Sequence, residues 1–457
     1  MIDLLSYMRS KFSSKLGYVL ATAGSAVGLG NIWRFPYLAA KYGGGIFLLC
    51  YIILALTFGY TMIISETALG RISRKSPVGA FRHFNKSGIS LTGGWINAII
   101  PILIVPYYSV IGGWVVKYLF EYLRFNRTAV AADGFFTSFI TNPVSAELWF
   151  VVFALCSLGV VFAGVRRGIE AVSKVMMPIL VCLAIVIAIF SMTRPGAAGG
   201  IKYFLVPDFA NFSWMTVVAA MGQMFYSLSI AMGILITFGS YMHEDLDIEK
   251  STYQVAAFDT GIAILSGLMI IPAVFTFSGG DKNALQAGPS LMFISIPKIF
   301  AEMAGGNIIG ILFFVLVFFA ALTSSIALLE TGISTFEDEL GWSRRKCVAL
   351  MTVIMLVLGS VNSLGFSSLD FVKIFGMDIL DFFDFLTNSV MMPIAAMATC
   401  ILILHRVGTK AVEDEIKKSS SFIGKGLYNF CIRFLAPLFI LVILVSSILN
   451  VLGVISM

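Results

Sequence analysis

The chain has 457 residues, of which 58% are hydrophobic and only 12% are charged, with a net charge of +6. A soluble protein of this length carries about 25% charged residues, so this composition excludes an ordinary water-soluble domain. Several apolar runs exceed the ~20 residues that a helix needs to cross a bilayer, and they lack the short alternation of a membrane β-barrel. The composition therefore predicts an all-α polytopic membrane protein. We interpret the net positive charge as that of cytoplasmic loops and not as a sign of nucleic-acid binding.

About eleven spans follow one another along the chain, and no segment between them is long enough to form a separate soluble domain. We therefore treat 1–457 as one transmembrane domain. Lys and Arg are concentrated on the side of the N-terminus, and the positive-inside rule places that side in the cytoplasm. With an odd number of spans in the cell (plasma) membrane, the C-terminus is extracellular. The predicted spans are 16–40, 44–70, 95–123, 148–165, 168–192, 213–241, 252–278, 306–336, 346–362, 374–404 and 429–455.

The first span contains a stretch, "ATAGSAVGLGNIWRFPY" (21–37), that is unusual for a membrane helix. Gly24, Gly28 and Gly30 lie close together, and the polar Asn31 follows at once. Each Gly costs about 1 kcal/mol relative to Ala inside a helix, and polar side chains in hydrocarbon cost more. Backbone that leaves the helix offers carbonyls to a cation and amides to an anion. The stretch therefore predicts a binding site at a helix break.

A second break is predicted in the sixth span, "GQMFYSLSIAMGILITFGSY" (222–241). Ser227 and Ser229 precede Gly233 in the middle of this apolar run. Small residues in one span are also explained by close helix packing, but two such spans, five apart, favour two inverted repeats. The predicted boundaries are about 16–192 for the first repeat, 213–404 for the second and 429–455 for an extra helix.

Six ordered motifs carry a family resemblance. The chain resembles the neurotransmitter:sodium symporter family, specifically its bacterial amino-acid branch exemplified by LeuT, from about Lys15 to the end of the tenth span. The resemblance implies the LeuT fold, with helices 1 and 6 unwound in the middle of the membrane. It also implies sodium-coupled import of a substrate by alternating access. The motifs are "GSAVGLGNIWRFPY", "GGGIFLLCYI", "ETALGR", "PYYSVIGGW", "LTSSIALLE" and "FEDELGWSR".

The resemblance implies two sodium sites made of oxygen ligands, which suit a hard monovalent cation and not a transition metal. The hydroxyls of "LTSS" (322–325) have a second interpretation, as packing groups bonded to carbonyls one turn back. The first site, completed by the substrate carboxylate, consists of Ala26, Asn31, Ser227 and Asp259. The second site consists of Gly24, Val27, Ala320, Thr323 and Ser324.

Asp259 lies where family members usually carry an Asn that binds the first sodium ion. Eukaryotic members complete a nearby chloride site with a Ser four residues later, where this chain has Ala263. A built-in carboxylate supplies the negative charge that two cations need in a low-dielectric site. The resemblance therefore implies transport without chloride. The alternative is an aspartate that faces a cytoplasmic water cavity.

The same core implies the substrate class. Amine-transporting relatives carry an Asp where this chain has Gly28, so the substrate here brings its own carboxylate and is an amino acid. The implied pocket contains no charged side chain and is adaptable through a Met, which predicts a neutral, hydrophobic L-amino acid. The implied substrate-binding residues are Ala26, Leu29, Gly30, Ile104, Tyr108, Tyr226, Ser227, Ser229, Met232 and Leu328.

Two gates are implied on either side of this core. Arg34 and Asp381 resemble an outer ion pair, with the pocket tyrosines beneath it as an aromatic lid. Arg9 and Asp338 resemble an inner pair. Tyr241 is expected beside the inner pair.

Two further features belong to the cytoplasmic side. Phe12 stands where relatives usually carry a Trp, which weakens the expected inner cap. Gly168 and Pro178 have nine residues between them, the spacing that in bacterial relatives marks a segment of helix 5 that unwinds to let water reach the second sodium ion. A Gly and a Pro are also ordinary helix punctuation.

Other function classes are weighed against a transporter. A transporter-like amino-acid sensor or a substrate-gated channel is the alternative, but two gates and two sodium sites disfavour both. An enzyme is not expected, because the three His of the chain are predicted in or near loops. The expected partners are a small neutral amino acid, Na⁺ and lipid, with the chain a monomer or a loose dimer.

Overall fold

The computed structural model describes residues 11–277 and 289–451. Within these ranges the chain is helical apart from short connections, and its only β-type pairings are isolated bridges between Gly44 and Pro207 and between Ile374 and Met377. Arg9, predicted in the inner gate, lies outside the described residues.

Thirteen helical segments carry the membrane part of the described chain, and shorter helices connect them. The membrane segments are α1 (Lys15–Ala26), α2 (Phe35–Lys41), α3 (Gly45–Ser73), α4 (Gly88–Leu123), α5 (Pro143–Phe162), α6 (Val165–Met192), α7 (Trp214–Ser227), α8 (Ile234–Tyr241), α9 (Ile248–Phe277), α10 (Gly306–Leu340), α11 (Arg344–Leu364), α12 (Ile379–Val407) and α13 (Lys425–Leu449). The connecting helices are Pro77–Phe84, Arg127–Val130, Phe135–Ile140, Ala197–Leu205, Phe209–Asn211, Ile296–Glu302 and Thr409–Lys417.

Nine helices in the described part of the chain are long and apolar enough to cross a membrane. The pairs α1 with α2 and α7 with α8 are not among them, because each pair is broken into pieces of 14 residues or fewer. The prediction of about eleven spans corresponds to the nine continuous helices and these two interrupted segments.

The predicted boundaries shift where a helix continues beyond its apolar run. The third span was predicted from residue 95, but α4 begins at Gly88, where the side chain of Ser87 accepts a hydrogen bond from the Ser90 amide. This N-terminal cap stabilises a helix that begins before the apolar run does. Apolar runs mark the part of a helix in hydrocarbon and not its ends.

The first interruption occurs where glycines let other side chains approach the backbone. Helix α1 ends at Ala26, and a π-helical turn at Gly30–Arg34 leads into α2. A Cβ atom on Gly28 would lie 2.8 Å from the Ser324 hydroxyl oxygen, and one on Gly30 would lie 2.7 Å from the Tyr226 ring. Glycine is needed here because any side chain would collide with these neighbours.

The second interruption separates α7 from α8. Ser229, Ala231 and Gly233 have φ angles of 54°, 60° and 68°, and a non-glycine residue in this left-handed region costs roughly 1–2 kcal/mol. The Ala231 amide donates a 2.8 Å hydrogen bond to the buried Glu66 carboxylate on α3. This bond satisfies an amide that the break has removed from the helical pattern.

Helices α3 and α8 pack with their backbones in contact. A Cβ atom on Gly70 would lie 1.9 Å from the Ile236 carbonyl oxygen, and one on Gly239 would lie 2.4 Å from the Thr67 carbonyl oxygen. Such small residues allow helices to approach closely in membranes. The contact fixes α8, and with it the second interruption, against α3.

We expect Gly70→Ala to lower the melting temperature of the detergent-solubilised protein, because the added methyl must separate α3 from α8 and overpacking costs about 1–3 kcal/mol. The matched control is Gly159→Ala on α5, where nothing lies within 4 Å of an added Cβ. The control should keep or raise the melting temperature, since Ala favours a helix. Equal melting temperatures for the two variants would contradict the backbone contact.

Candidate functional site

One cavity lies between the two interruptions and is closed by α4 and α10. Its free volume is about 30 Å³, and it is buried in the middle of the helical bundle. All ten residues predicted to bind substrate line it, and no lining residue is charged. The lining residues are Ala26, Leu29, Gly30, Ile104, Tyr108, Tyr226, Ser227, Ser229, Met232 and Leu328, together with Ser25, Gly28, Asn31, Ile234 and Ser324.

The cavity has one polar end, next to the break between α1 and α2. The Leu29 amide donates to the Tyr108 hydroxyl over 3.3 Å. The Ser229 hydroxyl, from the other break, donates to the Ser25 carbonyl over 2.9 Å. Amides, hydroxyls and carbonyls therefore meet at this end, whereas Ile104, Met232 and Leu328 line the apolar remainder.

Asp259 on α9 lies at the edge of this polar end, fully buried. Its Oδ1 atom accepts hydrogen bonds from Asn31 Nδ2 (2.7 Å) and the Ser227 hydroxyl (2.6 Å). Its Oδ2 atom accepts a 2.6 Å hydrogen bond from the Tyr51 hydroxyl on α3. The amide of Gly28 donates to Asn31 Oδ1 over 3.1 Å. Three donors converge on one buried carboxylate, an arrangement that suits a fixed negative charge.

Sequence reasoning placed Asn31, Ser227 and Asp259 together but missed Tyr51. The tyrosine lies within the motif "GGGIFLLCYI", about two helical turns after its three glycines. An aromatic residue in an apolar span is more often a packing residue than a polar ligand. Its hydroxyl acquires a role only when α3 is packed against α9.

A second oxygen cluster joins α1 to α10. The Ser324 hydroxyl lies 3.3 Å from each of the carbonyl oxygens of Gly24, Ser25 and Val27. The Thr323 hydroxyl lies 3.2 Å from the Ala320 carbonyl oxygen. A hydroxyl has one proton to donate, so this cluster contains more acceptor oxygens than donors. The five residues predicted for the second sodium site thus meet in one place.

The oxygen chemistry of both clusters differs from that of a transition-metal centre. Within residues 11–277 and 289–451, no group of three or more His, Cys, Asp or Glu side chains lies together as a metal site. Carbonyl and hydroxyl oxygens suit a hard cation.

The outer gate differs from the prediction by one helical turn. Arg34 lies 5.5 Å from the centroid of the Tyr226 ring and acts electrostatically on Asp384. Asp384 also accepts from Asn388 (2.6 Å) and from the Tyr107 hydroxyl (3.2 Å).

Asp381, predicted as the partner of Arg34, is exposed in the first turn of α12, where its amide donates to the Asp378 carboxylate. Its neighbouring charges are Asp378, Asp384 and Lys373, and not Arg34. The partner of Arg34 is therefore corrected to Asp384. Residues three apart on a helix share a face, so the sequence alone did not distinguish which turn faces the cavity.

Two of the residues predicted for the inner gate, Asp338 and Tyr241, lie within the described chain. Asp338 accepts a 2.6 Å hydrogen bond from the Ser76 amide and lies 3.8 Å from Lys75 Nζ. The Tyr241 hydroxyl donates to Glu330 over 2.7 Å. Phe12 is fully buried, with its ring centroid 6.2 Å from that of Tyr241 in an edge-to-face arrangement. Phe12 thus packs against Tyr241 at the inner side, although relatives usually carry a Trp at this position.

The start of α6 is helical and not unwound in this structure. Gly168 lies in a π-helical turn, Val165–Glu170, that continues directly into the helix containing Pro178. Glu170 in this turn accepts a 2.7 Å hydrogen bond from the Ser13 amide and pairs with Lys174. Sequence reasoning missed Glu170, because a charge at a helix start usually faces solvent.

The chain is similar to known membrane transporters. A family model described as "Sodium:neurotransmitter symporter family" matches residues 9–132 and 135–454. The sodium-dependent transporter YhdH of Bacillus subtilis (strain 168) is 32% identical over 452 residues, covering 98% of each chain. A sodium-dependent transporter of Haemophilus influenzae is 33% identical over 459 residues, covering 96% of this chain and 98% of its own.

A solved structure extends the likeness to the fold. The crystal structure of MhsT in complex with L-phenylalanine superposes with a TM-score of 0.87 and 35% identity, over 96% of this chain and 100% of MhsT. MhsT has the LeuT fold. These relatives are transporters and not enzymes. The chain belongs to the sodium:neurotransmitter symporter family and is a sodium-dependent, multi-pass membrane transporter with the LeuT fold.

Proposed function

We propose that the protein imports neutral, hydrophobic L-amino acids with two Na⁺ ions per substrate, without chloride, by alternating access. The observation that carries the proposal is the buried cavity between the two interruptions, in which amides, hydroxyls and carbonyls meet at one end and apolar side chains line the other. Its orientation is the one that the positive-inside rule favours, with the N-terminus in the cytoplasm and the C-terminus outside.

The polar end suits the two charged groups of an amino acid. The Leu29 amide and the Tyr108 hydroxyl are donors for a carboxylate, and the carbonyls at the breaks, with the Ser229 hydroxyl, are acceptors for an ammonium group. A side chain at position 28 would meet Ser324 and Tyr108, so Gly28 keeps room for the substrate's own carboxylate. The description of MhsT in complex with L-phenylalanine supports an apolar side chain.

The two oxygen clusters supply the coupling to sodium. The first cluster, of Asn31, Ser227 and Asp259, borders the polar end of the cavity, so a cation there interacts directly with a substrate carboxylate. The second cluster joins α1 to α10 through Ser324. A cation bound between two helices stabilises the states in which they are together, which couples ion binding to the conformational equilibrium.

Asp259 supports chloride independence. Its buried carboxylate lies between α3, α7 and the first break, through Tyr51, Ser227 and Asn31. Ala263, one turn further along α9, is fully buried and has no hydroxyl to offer an anion. A carboxylate inside the protein therefore provides the charge that offsets the cations.

The outer residues fit a gate that closes above the substrate. Tyr226 and Tyr108 line the cavity, and Arg34 lies over the Tyr226 ring with Asp384 as its electrostatic partner. When Arg34 and Asp384 approach each other, water is excluded from the cavity. Such closing steps affect the rate of turnover more than they affect contact with the ligand.

The central test is uptake into proteoliposomes driven by an inward Na⁺ gradient. We expect uptake of labelled L-phenylalanine and L-leucine, little uptake of L-glutamate or L-lysine, and none when choline replaces Na⁺. Thr323→Ala should raise the Na⁺ concentration for half-maximal uptake by about tenfold, the effect of one lost oxygen contact to a charge. The control is Thr335→Ala on the same helix, whose hydroxyl donates to the Thr331 carbonyl one turn back. Uptake that persists without Na⁺ would overturn the proposal.

A second prediction concerns chloride. Replacing chloride with gluconate should leave wild-type uptake unchanged, whereas Asp259→Asn should reduce uptake because the compensating charge is lost. Asp259→Asn combined with Ala263→Ser should regain part of its activity only when chloride is present. The control is Asp370→Asn, at an exposed position that pairs with Lys373. A chloride requirement in the wild type would exclude Asp259 as the compensating charge.

A third prediction separates the two aspartates of α12. Asp384→Asn should slow uptake more than it weakens substrate binding in a scintillation proximity assay, because the pair closes the gate and does not contact substrate. Asp381→Asn is the matched control, one turn earlier on the same helix, and should leave uptake and binding close to wild type. If Asp381→Asn slowed uptake and Asp384→Asn did not, Asp381 would be the partner of Arg34.

A further inference from the structure

A groove on the outside of the helical bundle shares no lining residue with the substrate cavity. It lies between α4, α12 and α13 and has a free volume of about 410 Å³. Ile394, Ile401 and Leu441 border it and are exposed, as expected of a surface that contacts the lipid of a membrane. We refer to it as the α4–α12–α13 groove.

Small residues on two helices leave this space unfilled. A Cβ atom on Gly93 of α4 would lie 2.7 Å from the Cβ atom of Ala398 on α12. One turn further along α4, Asn97 Nδ2 lies 3.4 Å from the Ala395 carbonyl oxygen. The two helices are thus in close contact and run antiparallel. Gly93 and Ala398 both line the groove, and they are too small to fill the space that separates these helices from α13.

The lining suits an apolar occupant. Thr92 is the one lining residue with a hydroxyl, and this hydroxyl donates to the Gly88 carbonyl of its own helix over 3.0 Å. An empty apolar volume forfeits the dispersion contacts of its walls. A cavity of about 150 Å³ holds a molecule the size of benzene, so the groove has room for a chain of roughly 16 carbon atoms. The acyl chain of a membrane lipid meets these requirements.

Two cations lie beyond one end of the groove. Because α4 and α12 run antiparallel, Lys86, just before α4, and Arg406, in the last turn of α12, are at the same end of the helix pair. Lys86 precedes Thr92 by six residues, and Arg406 follows Ile401 by five. At 1.5 Å per residue, each cation lies about 8 Å beyond the apolar lining. Both side chains are exposed.

No carboxylate on these two helices competes for the cations. Segments 85–96 and 393–407 contain neither Asp nor Glu. Glu413, in the helix that follows α12, is paired with Lys417 and Lys425, and neither of the two cations forms an ion pair with any described residue. Cations at the ends of membrane helices attract anionic lipids, and basic sites between such helices bind their head groups. The charge at this end of the groove therefore favours an anionic head group.

We propose that the α4–α12–α13 groove binds an anionic phospholipid, with one acyl chain between the three helices and the phosphate between Lys86 and Arg406. A guanidinium binds two phosphate oxygens at once, and the ammonium group of Lys86 adds a second positive charge. The glycerol backbone of the lipid spans the distance between the cations and the apolar lining. A second copy of the chain fits less well, because a two-fold contact through this face would bring the same cations of both copies to one side of the membrane.

The test uses the full-length protein in nanodiscs of phosphatidylcholine that contain a small fraction of phosphatidylglycerol with a diazirine in its acyl chain. After irradiation, labelled peptides are mapped by mass spectrometry, and we expect label in segments 393–401 and 440–444. The matched probe is phosphatidylcholine with the same diazirine-bearing chain. It should label these segments at least about fivefold less, since it lacks the net charge that even one cation near a membrane surface would attract.

Two variants test the head-group contacts. Arg406→Gln and Lys86→Gln should each reduce labelling of the groove by the phosphatidylglycerol probe about fivefold, the effect of one cation near a membrane surface. Labelling by the phosphatidylcholine probe should stay unchanged. The matched control is Arg345→Gln, which removes an exposed cation from the first turn of α11, a helix that does not line the groove. The control should label like the wild type.

A third variant tests the acyl-chain contact. Ile401→Trp places a larger side chain in the groove and should reduce labelling of segment 440–444 severalfold with both probes. The matched control is Val353→Trp, at an exposed position of α11, which should leave the labelling unchanged. If Ile401→Trp does not fold, the two charge variants, which change exposed side chains, decide the proposal.

Four results would contradict the proposal. The first is label spread evenly over the exposed faces of α5, α11 and α13. The second is equal labelling of the groove by the two probes, which would assign it to the chain of any lipid. The third is an Arg406→Gln protein that labels like Arg345→Gln. The fourth is cross-linking of two protein copies through α12 and α13, which would assign the groove to a second copy of the chain.

Discussion

Backbone polar groups that leave a helix inside a membrane must find other partners, and the architecture of this protein depends on that constraint. Two of its apolar segments are broken into shorter helices, and each break is supported by side chains of intact helices. Glu66 holds the Ala231 amide, Tyr108 accepts from the Leu29 amide, and Ser324 contacts carbonyls at the end of α1. The breaks are stable because the continuous helices α3, α4 and α10 carry these groups, and the site exists because the same groups converge there.

Buried carboxylates have two distinct uses in this framework. Glu330 is bound by the Arg344 guanidinium (2.6 Å) and the Tyr241 hydroxyl, so its charge is neutralised by a cation of the protein. Among the residues that the structure describes, Asp259 accepts side-chain hydrogen bonds from neutral donors alone, those of Asn31, Ser227 and Tyr51. A buried anion without a protein cation is costly. In a sodium-dependent transporter, the uncompensated negative charge of Asp259 favours the binding of a cation beside the carboxylate.

The sequence by itself determined the membrane class, the helical fold and the family, because hydrophobic length, glycine clusters and ordered motifs are local properties of the chain. The residues of the substrate cavity and of the two oxygen clusters were also predictable, since the motifs specify which positions border the breaks. Tertiary structure alone decided which of two aspartates, Asp381 or Asp384, faces Arg34, because they lie three residues apart on one helix. It alone also brought Tyr51 to Asp259 and Glu170 to the Ser13 amide. These contacts join residues more than 150 positions apart, and their geometry depends on how helices rotate and pack against one another, which local patterns do not encode.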